Sequence, residues 1–161
     1  MPDLLVKLYA LPASAPILER LARDGIEIRR AIAAEKRIVT RWVGEHFPKT
    51  WPNECEIAFH RQPVACVIAV RSDALLGFCC HSVVCPDFLG PLGVLSEWRK
   101  HSLGTALLLT SLEALRAQGY AYAIIGWAGP VAFFEKSVGA TTIENSEPGI
   151  YRGMLRDKMQ E

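Results

Sequence analysis

The chain has 161 residues, half of them hydrophobic, with 18 basic side chains against 17 acidic ones and a formal net charge of +1. That is the size of one domain, with enough apolar material for a core of its own. The charge balance lacks the basic surplus of a nucleic-acid-binding protein and gives no electrostatic grip on an anionic membrane, so neither partner is expected.

The opening stretch from Met1 to Pro16 does not run from a basic start through an apolar core to a small-residue cleavage site, so no signal peptide is read there. No apolar run reaches the roughly 18 residues of a membrane helix. Five cysteines, Cys55, Cys66, Cys79, Cys80 and Cys85, make an odd number without a signal peptide. They point to free thiols in a reducing, cytoplasmic compartment. A metal reading would use Cys79, His81 and Cys85, but no C-x-x-C pair supports it. Buried, hydrophobe-like thiols are preferred and no metal is expected.

In chain order, Leu4 to Leu11 reads as a short edge strand. Ser14 caps a helix running to about Arg23, which Asp24-Gly25 ends. Ile26 to Ile32 alternates as a strand. Ala34 to Phe47 is an amphipathic helix, with Ile38, Val39, Trp42 and Val43 on one face, and Pro48 stops it. Lys49 to Glu56 reads as a loop or broken helix. Val64 to Val70 and Leu75 to Val84 are strands joined by the turn Arg71-Ser72-Asp73. Phe88 to Leu95 is a third, whose Gly90, Pro91 and Gly93 predict a bulge or a close approach to the backbone.

Leu103 to Gln118 is the strongest helix, apolar nearly all round and ended by Gly119. Ala121 to Trp127 reads as a buried strand. Pro130 to Val138 is a short helix with Pro at its start and Gly139 after its end. Thr141 to Glu144 and Ile150 to Leu155 read as two last strands, joined by the turn Asn145 to Gly149. The order is mixed α/β (α+β), meandering before the long helix and alternating after it. We expect a single domain over 1–161.

Chemistry concentrates between Gly90 and Leu108. A bulged strand leads into a basic loop of Arg99, Lys100 and His101, which opens into a buried helix near Leu103. Unpaired N–H groups and the positive end of the helix dipole suit a phosphate there. Ser102 would cap the helix or donate to a phosphate oxygen, and Gly104 would let a bulky anion approach the backbone. From these residues alone, an ordinary strand-to-helix turn with a solvated loop fits equally well.

The segment Arg99-Lys100-His101-Ser102-Leu103-Gly104 resembles the acetyl-coenzyme A loop of the GNAT superfamily of N-acetyltransferases: Arg or Gln, two residues, Gly, one residue, then Gly or Ala. Ser102 stands where the family has its first glycine. Gly93-Val94-Leu95, Glu97 and Phe133-Phe134-Glu135-Lys136, followed by Gly139-Ala140, match further family features in order. The resemblance covers about 26–155 and leaves residues 1–25 as an extension of unassigned role. It implies a GNAT-like, mostly antiparallel central sheet flanked by helices, with a bulged strand leading into the cofactor helix. It also implies acetyl-coenzyme A as cosubstrate and a small-molecule or peptide amine as acceptor. A homodimer stays open, as does the identity of the acceptor.

By the same resemblance, the pantetheine arm would pair with the strand ending at Val94. The loop amides from Lys100 through Ser102, Leu103 and Gly104 to Thr105 would hold the pyrophosphate, with Arg99, His101 and Phe133 completing the cofactor site. A strand N–H near Val94 or Leu95 would polarise the thioester. The family often donates a proton to the leaving thiolate from a tyrosine in F-Y-E-K; here that position is Phe134. Tyr120, Tyr122 and Tyr151 are substitutes in principle. Glu54 and Glu56 are the candidate bases, taken to face the same way in an extended loop, with His81 and Asp87 weaker. Glu144 and Glu147 would form an opposite wall favouring a cationic amine. Because of Phe134, a catalytically silent coenzyme A sensor is the alternative. A nucleotide-binding module without acyl transfer is another.

Overall fold

The computed structural model describes residues 1–156. Seven strands form one sheet: β1 (Leu4–Lys7), β2 (Glu27–Arg30), β3 (Cys66–Arg71), β4 (Ala74–His81), β5 (Phe88–Val94), β6 (Tyr122–Ile125) and β7 (Thr141–Thr142). Their spatial order is β2-β3-β4-β5-β6-β1-β7. Every pairing is antiparallel except β5 with β6, which run parallel.

Five helices cover the two faces. α4 (Leu103–Ala117) carries one face together with α1 (Ala15–Arg23) and α5 (Val131–Val138). Leu103, Leu107, Leu108, Leu112 and Leu115 of α4 are all buried. Each such leucine contributes about 1.5–3 kcal/mol relative to exposure, so this helix anchors the sheet. On the other face α2 (Lys36–His46) and α3 (Trp51–Phe59) enclose a second apolar layer. There Trp42, Phe47, Trp51 and Phe78 pack ring on ring, with Phe47 stacked on Trp51 at 5.4 Å between centroids.

Three elements differ from the sequence expectation. The first strand is not at an edge: β1 lies between β6 and β7, in register Leu4 with Ile125 and Leu4 with Thr142. Leu4 and Val6 are fully buried, which is what drives a strand of only four residues into the interior. Residues 1–25, left without a role above, therefore complete the sheet through β1 and cover α4 through α1.

The second difference is Lys49 to Glu56, most of which is helical. α3 starts at Trp51 with Pro52 in its first turn, where a missing N–H costs nothing. The third is Ile150 to Leu155, which forms no strand. Gly149–Tyr151 is a 3-10 turn, because β1 already fills the place beside β6.

Candidate active site

β5 and β6 pair only at Phe88 with Ile124 and Leu89 with Ile125. Beyond that the strands part and leave a crevice between Gly90 and Gly126. Gly90 has φ +129, a backbone conformation that glycine adopts without strain. On the other side of β5, the Leu95 N–H is donated to the Leu76 carbonyl at 3.0 Å. Leu95 is thus removed as a free donor. By antiparallel alternation the N–H and C=O of Val94 face the crevice instead. The Val94 carbonyl accepts from Arg99 Nε at 3.4 Å.

The loop after β5 makes a short 3-10 turn at Ser96–Trp98 and then enters α4. Lys100 and Ser102 both have φ +67. This left-handed region is one that glycine adopts without the Cβ penalty Ser102 bears. The Ser102 side chain makes no capping bond, contrary to one expectation above. The first intrahelical bond is Ala106 N–H to Ser102 carbonyl at 3.0 Å. The N–H groups of Leu103, Gly104 and Thr105 precede it and point out of the helix end.

A Cβ on Gly104 would stand 3.3 Å from the Phe133 ring and 3.8 Å from Val94. Phe133, Gly104 and Val94 thus meet where helix end and crevice join. Thr105 Oγ1 lies 3.4 Å from Ser137 Oγ of α5. An open cleft of about 410 Å³ flanks the loop; its lining includes Arg20, Arg71, Lys100 and His101, with one carboxylate, Asp24, and also Trp98 and Ser102. Arg71 lies over the Trp98 ring at 5.4 Å. Arg20 belongs to α1, so no motif in the loop could have announced it.

The two candidate bases are separated by the helical geometry of α3. Residues two apart on a helix point nearly opposite ways. Glu56 faces solvent, bonds Lys36 Nζ at 2.8 Å, and is held below the usual carboxylate range by that lysine. Glu54 is half-buried, and burial pushes its carboxyl above the usual range.

Near Glu54 stands Tyr151. Its hydroxyl would lie 2.7 Å from a Cβ at Gly126, and its ring stacks on Trp127 at 5.0 Å. Glu54, Asp3 and Cys85 all lie close enough to act on its charge. The other two tyrosine substitutes are elsewhere: Tyr122 pairs edge-on with Tyr9, and Tyr120 packs on the core beneath α4. Phe134 is buried at 5% exposure in the α4 core.

His81 is buried, with Nδ1 2.9 Å from Ser82 Oγ, and burial pushes its pKa down to about 4. It is a neutral core residue. The Asp87 backbone carbonyl accepts from the Ile124 N–H at 3.0 Å. Glu147 is ion-paired with the Met1 amino group, so Glu144 alone of the expected opposite wall keeps a charge free of an ion pair among the described residues. Cys79, His81 and Cys85 do not come together. The thiols that do are Cys55, Cys66 and Cys80, with sulfurs within 4.8 Å of one another between α3 and the sheet.

The profile of the acetyltransferase (GNAT) family matches residues 36–140, and the chain belongs to that family of acyltransferases. No curated protein matches its sequence. Among solved structures, it resembles a glucosamine N-acetyltransferase region of a fungal multi-domain β-N-acetylglucosaminidase, with TM-score 0.71, 14% identity, and 88% of this chain and 19% of that one covered. A GCN5-related N-acetyltransferase from Sphaerobacter thermophilus gives TM-score 0.63 at 18% identity, covering 88% of this chain and 48% of that one. A GNAT acetyltransferase from Brucella melitensis, solved with acetyl-coenzyme A, gives 0.52 at 18% identity, covering 73% and 86%. The chain thus spans under half the length of the first two. At these identities the likeness is one of fold. Among the described residues no helix is long and apolar enough to cross a membrane.

Proposed function

We propose that this chain transfers an acetyl group from acetyl-coenzyme A directly to a primary amine, with Glu54 as the base. The observation that carries the reading is the crevice between β5 and β6. It opens beside the unpaired amides of Leu103, Gly104 and Thr105, and its Gly126 lip meets Tyr151, on whose charge the half-buried Glu54 acts. The loop amides would hold the pyrophosphate, and the basic cleft beside them suits further phosphate charge. Val94 N–H, directed into the crevice, would pair with the pantetheine arm as it leaves the helix end.

Glu54 above the usual carboxylate range suits a base that must take a proton from an ammonium with an ordinary pKa near 10.4. A small-molecule or peptide amine of cationic character fits the carboxylates of Glu54 and Asp3, both close enough to Tyr151 to act on its charge.

The test is release of free thiol from acetyl-coenzyme A across a panel of amines. Glu54→Gln should lower turnover by about 10²-fold or more, while Glu56→Gln should not. Phe134, apolar and buried, keeps a catalytically silent coenzyme A sensor as the second reading. Tight cofactor binding with no thiol release for any amine would favour it.

A further inference from the structure

Phe134 removes the tyrosine that the resemblance would supply from α5, yet a tyrosine hydroxyl stands at the crevice all the same. Tyr151 arrives from the other direction, on the 3-10 turn Gly149–Tyr151 that replaces the expected last strand. One stack on a tethered backbone holds it, beside a glycine that leaves it room. The ring stacks on Trp127 at 5.0 Å and 21°. The Trp127 backbone N–H is tied to Asp3 Oδ1 at 2.8 Å. Gly126 leaves the hydroxyl its room: a Cβ there would lie 2.7 Å from it. The same Cβ would stand 3.0 Å from the Phe88 ring, so a side chain at position 126 would force the hydroxyl or that ring to move.

The position relative to the donor follows from strand length. A pantetheine arm lying along β5 from the start of α4 passes Val94 and reaches Gly90 after about 13 Å, at about 3.3 Å per residue. Gly90 and Gly126 are the two lips of the crevice where β5 and β6 part. A thioester at the end of that arm meets the Tyr151 side of the opening.

We propose that Tyr151 donates its hydroxyl proton to the departing sulfur of coenzyme A, in the place of the family's missing α5 tyrosine. The inference rests on the acetyl-transfer reading above. The ammonium first loses one proton through Glu54 to solvent; as the amine nitrogen then bonds the carbonyl carbon, its second proton passes to the Glu54 carboxylate. The C–S bond breaks, its electron pair goes to sulfur, and the sulfur takes the Tyr151 proton. The tyrosinate recovers a proton from the Glu54 carboxylic acid nearby. Amine and thioester become amide and thiol, and both side chains return to their starting states.

Burial, then the charges of Glu54, Asp3 and Cys85, push the Tyr151 hydroxyl up to about 12. A free thiol ionises near 8.5, so transfer to a finished thiolate would run uphill. The hydroxyl therefore acts while the C–S bond is breaking, as a donor to growing charge that stays protonated across the working pH range. The same shift returns the proton downhill from Glu54 to tyrosinate.

Tyr151→Phe keeps the ring and its stack on Trp127 and removes only the hydroxyl. Turnover should fall by about 10²-fold with the KM for acetyl-coenzyme A unchanged. A second measurement needs no acceptor: titration of the thiol of bound coenzyme A by its thiolate ultraviolet absorbance. A hydroxyl donating to sulfur lowers that thiol's pKa, so Tyr151→Phe should raise it by about one unit, a tenfold change in thiolate fraction. Equal thiol pKa and equal turnover in the two proteins would leave Tyr151 a packing residue and overturn the proposal. If the wild type binds coenzyme A and shows the thiol shift but acetylates no amine, the acetyl-transfer reading fails while the contact stands. If the wild type does not bind coenzyme A, both fall.

Discussion

Asp3 Oδ1 accepts a hydrogen bond from the Trp127 backbone N–H at 2.8 Å, across 124 positions of sequence. Asp3 is 8% exposed, and Trp127 has φ +50, a turn conformation that the bond helps hold. The Asp3 N–H in turn donates to Ser146 Oγ at 2.9 Å, and its carbonyl accepts from the Ile143 N–H at 2.9 Å. One residue of the N-terminal segment thus ties the end of β6 to the turn that delivers Tyr151. Asp3→Ala should leave a half-buried N–H unpaired and destabilise the fold by about 1–3 kcal/mol, read by denaturant unfolding. Turnover should fall further than that of a surface variant of equal stability, because the Trp127–Tyr151 stack loosens.

Glu54 makes a prediction about pH. Its carboxyl is raised by burial alone, so below that raised pKa it is protonated and no base. The ascending limb of kcat/KM should therefore lie above the ordinary carboxylate range and vanish in Glu54→Gln. Stability runs the other way. A group with a raised folded pKa stabilises fully below its unfolded pKa, and loses that stabilisation as pH rises through the folded value. Glu54→Gln should accordingly be more stable than the wild type at neutral pH and no more stable at acid pH. A variant that is both slower and more stable is the signature of a functional carboxylate held in an apolar place. Equal stability at both pH values would remove the burial argument.

The thiols make a prediction about reagents. Cys55, Cys66, Cys79 and Cys80 are buried, and Cys85 is half-exposed. Burial pushes the Cys79 thiol up to about 12. Within the cluster, contact with Cys66 and Cys80 draws Cys55 down, while the contact with Cys55 raises Cys66 and burial raises Cys80. Access rather than acidity decides the outcome, because a thiolate sealed in the core meets no reagent. A disulfide reagent should modify one thiol in the native protein, Cys85, and five after unfolding. No acetylated cysteine should appear with acetyl-coenzyme A alone, since direct transfer passes through no acyl-enzyme. A rapid native reaction at Cys55 would mean that α3 opens.

The turn from β5 into α4, proposed here to hold the cofactor, was legible as a structural feature because its signals are local. Arg99 to Gly104, the helix behind it and Phe133-Phe134-Glu135-Lys136 sit within one stretch, and their spacing is set by secondary structure. The role of residues 1–25 was not legible. Leu4 meets Ile125 through a pairing 121 positions apart, and no periodicity in eight residues shows which strand will accept them. Lys49 to Glu56, which carries Pro52, was read as a loop or broken helix, whereas α3 runs through it from Trp51. In the first turn of a helix proline is tolerated, and that one misjudged turn also reversed the expected facing of Glu54 and Glu56. Tyr151 was named only as a substitute, on a strand that does not form. Its place depends on β1 having taken the position beside β6.

Ser102 and Gly104 separate two requirements that the loop sequence runs together. Ser102 needs a left-handed backbone, at φ +67, which costs a residue with a Cβ about 1–2 kcal/mol. Glycine relieves that strain but gives back about 0.5–1 kcal/mol through greater freedom in the unfolded chain. Ser102→Gly should therefore stabilise the protein by about 1 kcal/mol or less, and cofactor affinity should hold, because the backbone N–H groups are unchanged. Gly104 needs space instead. Its Cβ would stand 3.3 Å from Phe133 and 3.8 Å from Val94, which a methyl can meet with a few tenths of an ångström of movement. In a helix, alanine gains about 1 kcal/mol over glycine, so Gly104→Ala should fold at least as well as the wild type. Gly104→Val adds two methyls at the junction of helix end and crevice. It should abolish acetyl-coenzyme A binding by calorimetry while the far-ultraviolet spectrum stays that of the wild type. If Gly104→Val binds with undiminished affinity, the pyrophosphate is not held at this helix end.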